Sequence, residues 1–353
     1  MSLQRQALFW VALLAVLIAL IWLLHGILLP FVAGMALAYL LDPLANRLER
    51  FGLNRAMATF VMVAVFVLVL AFVAIALFPV LARQLSELIS NAPAYIERLQ
   101  ELVANPEWPW LSNLVGGANL SDFKASAYVK DAAGAFAVFA GSLWSGGRAF
   151  VSLLSLLIIT PVVAFYLLVD WPRIVATVDS WLPRKDADTI RELLRQIDSA
   201  IAGYVRGQTS ICLILAALYI AGFSLIGLKY GFLIGLIAGL ASFIPFVGSA
   251  TGLIVGTTVA LVQFWPDWVP VLMVLVVCGV LQVIEGYVLS PNLVGASVGL
   301  HPVWLMFALF SAGYLFGFVG LLVAVPVAAA IGVLVRFAMR RYMASSIYSG
   351  GPT

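Results

Sequence analysis

Charge is what this chain holds least of. Charged side chains make up 10% of its 353 residues, where a soluble domain carries about 25%. Apolar residues reach 64%, which excludes an ordinary soluble fold. The net charge is only +3, and no long basic run offers a nucleic-acid surface. Cysteine is almost missing as well. Cys212 and Cys278 are the only two, and both fall inside apolar runs. That excludes a disulfide framework and leaves two thiols packing as small hydrophobes. Catalytic signatures are equally sparse. No Gly-Lys-Ser/Thr phosphate loop is present, so direct ATP hydrolysis is not expected, and no His-Glu-x-x-His metal helix occurs. The main enzymatic rival, an intramembrane protease, lacks its paired Asp or Ser/His set on facing spans. The chain is therefore expected not to be an enzyme and to need no cofactor.

Long apolar runs are what the sequence has in abundance. Several exceed 18 residues with few or no charges, the pattern of transmembrane helices. The expected fold class is an all-α polytopic membrane protein with about eight membrane segments, some broken or re-entrant, and a small helical extramembrane domain. Short segments of alternating polarity, which a β-barrel needs, are missing. Arg5 before a long apolar run imitates a signal peptide, but the run is too long for one and reads as a retained helix.

Residues 1–80 read as N-terminal membrane helices. An apolar helix spans 7–29 and Pro30 interrupts it. Since 31–41 alone is too short to cross, the boundary is expected nearer His25-Gly26, with 26–41 as a tilted crossing or the whole as one broken helix. Asp42-Pro43 ends the unit. The next span is 56–80. Residues 81–148 then alternate polar and apolar at helical period and read as an extracytoplasmic helical domain. Within it, Asn91-Ala92-Pro93 predicts a helix restart, 105–120 a loop around Trp108-Pro109-Trp110, and Ser121 a new cap. A membrane helix at 149–169 is followed by a cytoplasmic amphipathic segment at 170–206. Residues 207–341 read as a C-terminal membrane bundle, and 342–353 as a cytoplasmic tail.

Two stretches in that bundle are too long for one crossing. Residues 231–262 carry glycines four apart on each side of Pro245, and 303–335 carry Gly313, Gly317 and Gly320 near the middle. Such glycines let backbones approach closely. Paired, interrupted segments point to a transport site, with close helix packing as the plainer reading. Whether either segment crosses or re-enters stays open. The one-sided basic connections, at 42–55 and around Arg336, Arg340 and Arg341, place both termini in the cytoplasm.

The unusual residues concentrate in 284–302. Glu285 ends an apolar run, Pro291 and Pro302 bracket a Gly/Ser/Asn-rich segment, and His301 opens the next run. Cys278, Gln282 and Glu285 stand at i, i+4 and i+7, which predicts one shared stripe. An acid there reads as a proton or cation relay or a substrate contact, or else as a water-facing helix end. His301 reads as a titrating group or as a plain interfacial histidine. Arg206 reads as a span-opening anchor that snorkels. Pro245 with Gly248 shapes a broken backbone that can expose carbonyls to a cation.

The order of motifs resembles the autoinducer-2 exporter family of bacterial permeases. Tyr204-Val205-Arg206-Gly207-Gln208 opens a span in the family's manner. Ile244-Pro245-Phe246-Val247-Gly248 looks like its Ile-Pro-aromatic-x-Gly break. Glu285-Gly286 with Val288-Leu289 and Pro291 looks like its Glu-Gly-Asn-Val-Leu-x-Pro segment. Val298-Gly299-Leu300-His301-Pro302 and residues 317–326 complete the series. Tyr287 departs from the usual Asn, and Ser249 stands where Pro is common. The resemblance implies a secondary, ATP-independent transporter in the bacterial inner membrane that exports a small polar solute such as autoinducer-2. Sodium(lithium)/proton antiport through Glu285 is the alternative, and a non-transport scaffold the third reading. Expected partners are the lipid bilayer and a small solute or monovalent cation or proton, with no nucleic acid and with homo-oligomerisation left open.

Overall fold

The computed structural model describes residues 27–104, 147–295 and 299–345, with isolated residues outside these stretches. The described residues are overwhelmingly helical and contain no strand. Seven of the helices are long and apolar enough to cross a membrane. Their outer faces are those of a membrane protein. On the second helix Leu68, Phe72, Ile75 and Phe78 are all largely exposed, a patch too large and apolar for water. Most of the 7–29 run, the Trp-Pro-Trp loop and the Ser121 cap lie outside the described residues.

Helix α1 (Leu29–Arg50) starts with Pro30 in its first turn, where the missing N–H would have had no helical partner. It does not stop at Asp42-Pro43 as expected but carries Pro43 inside and ends at Phe51. Twenty-two residues rise about 33 Å, enough to cross a core of about 30 Å. Helix α2 (Arg55–Ala104) likewise runs through the expected boundary at 80/81 and through Pro93. Asn91 caps nothing; its Nδ2 donates to the Glu87 carbonyl at 2.7 Å. A proline removes one helical bond, which flanking turns can absorb when a helix is long.

Helices α3 (Gly147–Ser180) and α4 (Ala187–Ile226) consume the polar segment 170–206 as well, apart from a short turn. Amphipathic helix and apolar span are thus one continuous element, not two. Next come α5 (Gly231–Ala241), α6 (Val247–Phe264) and α7 (Trp268–Ile284), then a π-helical segment (Glu285–Val294), and finally α8 (Pro302–Met343).

Two compact units divide the chain. One comprises residues 1–68, 154–210 and 289–353. Its core is a cluster of Leu37, Ala38, Leu41, Val63, Ala164 and Leu168. Gly34 lets α1 close on α3: a Cβ there would stand 2.7 Å from the Val163 Cβ. Arg55 pins the same corner. It donates from Nη2 to Asp42 at 2.9 Å, from Nη1 to Glu49 at 3.0 Å, and from Nε to the Leu168 carbonyl at 2.9 Å, with Asn46 as a further acceptor.

The other unit comprises residues 69–153 and 211–288. Its centre is Tyr219 and Phe223 of α4, both fully buried. The glycine series of α5 lies against α4: a Cβ at Gly235 would meet Ile220 N at 2.6 Å, and one at Gly239 would strike the Ala216 backbone. Helices α5 and α6 pack on each other and α7 packs on α6.

Candidate functional site

Both interrupted stretches are broken, and each break has a local cause. Between α5 and α6 the chain turns through Phe246 in the left-handed region, φ 70°. Gly248 makes the turn tight, since a Cβ there would strike Ser242 Oγ and the Ala238 carbonyl. Pro245 is half-buried in the turn itself. The 11 residues of α5 rise only about 16 Å, too short to cross. The pair is a helical hairpin. In α8 the break is Gly317, with φ 59° and ψ −140°, a conformation open essentially to glycine alone. Beyond it the chain doubles back: a Cβ at Gly320 would strike the Ala312 carbonyl, and one at Gly313 would stand 2.9 Å from Leu321.

Glu285 sits beside the first hairpin. The buried residues of α7 are Val271, Val274, Cys278 and Leu281. Glu285 falls next in that rhythm, four residues on, and is half-buried. Its carboxylate is close enough to Cys212 and Tyr219 to act on both electrostatically. Tyr219 in turn lies against Gly252 of the hairpin, its Cε1 3.0 Å from where a Cβ would stand. Among the described residues the Glu285 side chain has neither a hydrogen-bond partner nor a counter-cation. Gln282 does not share this stripe. It is exposed, because at i+4 from Cys278 it falls on the flank that Leu281 and Glu285 leave open.

At Glu285 the backbone changes from α to π for ten residues. π-Helical geometry is rare and, as single-turn bulges, is frequent at functional sites. Pro291 lies inside this run and is exposed. Within the first unit, Gly207 of α4 receives the run's end. A Cβ at Gly207 would strike the Leu293 carbonyl and stand 3.0 Å from Val294. The neighbouring Arg206 does not snorkel freely. Its Nε donates to the Tyr39 carbonyl at 2.9 Å, while the Tyr39 hydroxyl donates to Asp198 at 2.9 Å. His301 is the N-cap of α8 and accepts from Val303 N at 3.3 Å; it is exposed.

Sequence reasoning missed the Tyr39–Asp198–Arg206 network and the Arg55 cluster. Asp42 and Arg55 had been visible only as polar span ends, and nothing local links Tyr39 to Asp198. No Gly-x-Ser-x-Gly elbow was expected, yet residues 295–299 spell its letters. That elbow joins a strand to a helix, and no strand exists among the described residues.

Seven helices long and apolar enough to cross, with no strand among the described residues, define an all-helical multi-pass membrane protein. The family profile described as AI-2E family transporter matches residues 11–340. The chain belongs to that family, and its role is membrane transport. YrrI of Bacillus subtilis, named as a candidate transport protein, is 28% identical over 90% of this chain and 89% of its own length. PerM of Escherichia coli K12, named as a candidate permease, is 27% identical over 92% of each. TqsA of the same organism, named as an AI-2 transport protein, is 23% identical over 89% of this chain and 86% of its own.

Proposed function

We propose that the chain is a secondary, ATP-independent exporter of a small polar solute such as autoinducer-2, in the bacterial inner membrane with both termini cytoplasmic. One observation carries this reading. Glu285 is a half-buried acid without a counter-charge among the described residues, placed where α gives way to π and beside a hairpin whose first leg is too short to cross. Keeping such an acid in an apolar frame costs several kcal/mol and is rarely retained without a task. In this reading Glu285 meets the solute or its coupling ion. Pro245 and Gly248 hold the hairpin turn, Pro291 lies within the π run, and Arg206 braces α4 on α1 through the Tyr39 carbonyl. Gln282 lies on the exposed flank of α7, and His301, also exposed, caps α8. The printed name of TqsA supports autoinducer-2 as the solute to try first.

The same acid supports a second reading, sodium(lithium)/proton antiport. Proteoliposomes separate the two. Sodium-driven proton movement that disappears in Glu285→Gln supports antiport. Efflux of labelled solute without any sodium response supports the exporter. Solute efflux and ion flux both unchanged in Glu285→Gln would remove Glu285 from either mechanism.

A further inference from the structure

A second polar feature lies in the first unit, in residues that the transport reading does not use. The polar half of α4 and the end of α8 line an open surface pocket of about 430 Å³. Its lining includes Glu192, Arg195, Gln196, Ser199, Val333 and Arg336. Two guanidinium groups from different helices therefore face one space. Glu192 answers only part of this charge. It accepts from Arg195 Nη1 at 3.3 Å and from Gln196 Nε2 at 2.9 Å. An arginine carries five N–H donors in a planar fork, so most of the Arg195 fork is left over. Arg336 is engaged at one terminal nitrogen of its fork. It lies over Gly332 and donates one bond, Nη1 to the Gly299 carbonyl at 3.3 Å. Arg340 follows one turn later on the same face.

We propose that this pocket binds a phosphate-bearing anion, held by the Arg195 and Arg336 forks with Ser199 as a hydroxyl donor. Planar forks match phosphate oxygens two at a time. Two arginines on separate helices, a third cation a turn away and one partly neutralising carboxylate favour a monoanion or phosphodiester over a cation. A basic pocket among helices at the end of an apolar frame also suits an anionic phospholipid headgroup. Free phosphate has the same chemistry, so the experiment must separate the two sources. Gly299 lies in the 284–302 stretch. An anion that engages Arg336 therefore acts on a group that also holds the Gly299 carbonyl.

The test uses the full chain purified in a zwitterionic detergent and reads binding rather than transport, so it stands apart from the export reading. Two probes are titrated at constant ionic strength: inorganic phosphate against chloride, and short-chain phosphatidylglycerol against phosphatidylcholine. Thermal unfolding midpoints give the apparent affinity. A saturable rise with either anionic probe is expected, and about tenfold weaker binding in the Arg195→Gln/Arg336→Gln pair. Ser199→Leu, which fills the pocket and keeps both charges, is expected to weaken binding as well. It also serves if the arginine pair does not fold. Arg184→Gln/Lys185→Gln, the same charge loss in the exposed turn between α3 and α4, is expected to leave binding unchanged. A response to the lipid alone identifies a headgroup site, and a response to phosphate alone a soluble anion. No saturable response to either probe overturns the proposal. So does equal weakening by the Arg184/Lys185 pair, which would mark a diffuse basic surface.

Discussion

Glu285 and the glycines around it carry different burdens, and substitutions separate them. Glu285→Gln keeps the size and removes the charge. If the transport reading holds, the variant folds with an unchanged thermal midpoint and loses coupled flux by tenfold or more, on the order of 1.4 kcal/mol. Gly239→Ala is expected to do the reverse. Its new Cβ strikes the Ala216 backbone, which has no flexible end to yield, so overpacking should cost roughly 1–3 kcal/mol. A fall in thermal midpoint with the transport chemistry intact in the surviving fraction checks this. Arg55→Gln removes acceptable geometry for Asp42 and Glu49 at once. Both carboxylates are about two-thirds buried, and a loss of roughly 1–3 kcal/mol is expected, again read from thermal unfolding.

At the scale of elements, the two hairpin breaks differ in kind. Gly317 adopts φ 59°, ψ −140°, which a side chain forbids at a cost of about 1–3 kcal/mol. Phe246 adopts φ 70° despite having a side chain, and that side chain is 53% exposed. Gly317→Ala should therefore lower the unfolding midpoint clearly. Phe246→Gly should hold or raise it, because it relieves about 1–2 kcal/mol of left-handed strain and forfeits little burial. A midpoint drop in Phe246→Gly larger than in Gly317→Ala would contradict this account. The continuity of α2 and α4 belongs at this scale too. Polar–apolar boundaries along a sequence mark a change of solvent, not the end of a helix. Reading such boundaries as ends drew helix ends at 80/81 and 206/207 that the backbone does not have.

At the scale of the whole molecule, the chain presents apolar surface outward and hides its few reactive groups. Cys212 and Cys278 are both buried. A membrane-impermeant maleimide should leave the folded wild type unlabelled and label both thiols after denaturation. With that silent background, Lys185→Cys reports topology. Under the proposed orientation it reacts in inverted vesicles and not in intact cells; reaction from the outside would reverse the orientation.

Hydropathy alone was enough to read the class: long apolar runs with 10% charge have no other stable solvent than lipid. Glycine and proline spacing was enough to locate both broken stretches, because backbone freedom is a property of the residue itself. Glu285 was legible for the same reason, as an acid where acids are costly. Other features required partners distant in sequence, and only the fold supplied them. Arg206 is anchored by Tyr39 and Asp198, Gly207 is shaped by Leu293, and Arg195 shares a pocket with Arg336. The exposure of Gln282 was likewise settled by packing, since a four-residue step and a seven-residue step diverge by tens of degrees around a helix. Local chemistry is written in order along the chain, whereas a side chain's neighbours are set by how the helices fold back on one another.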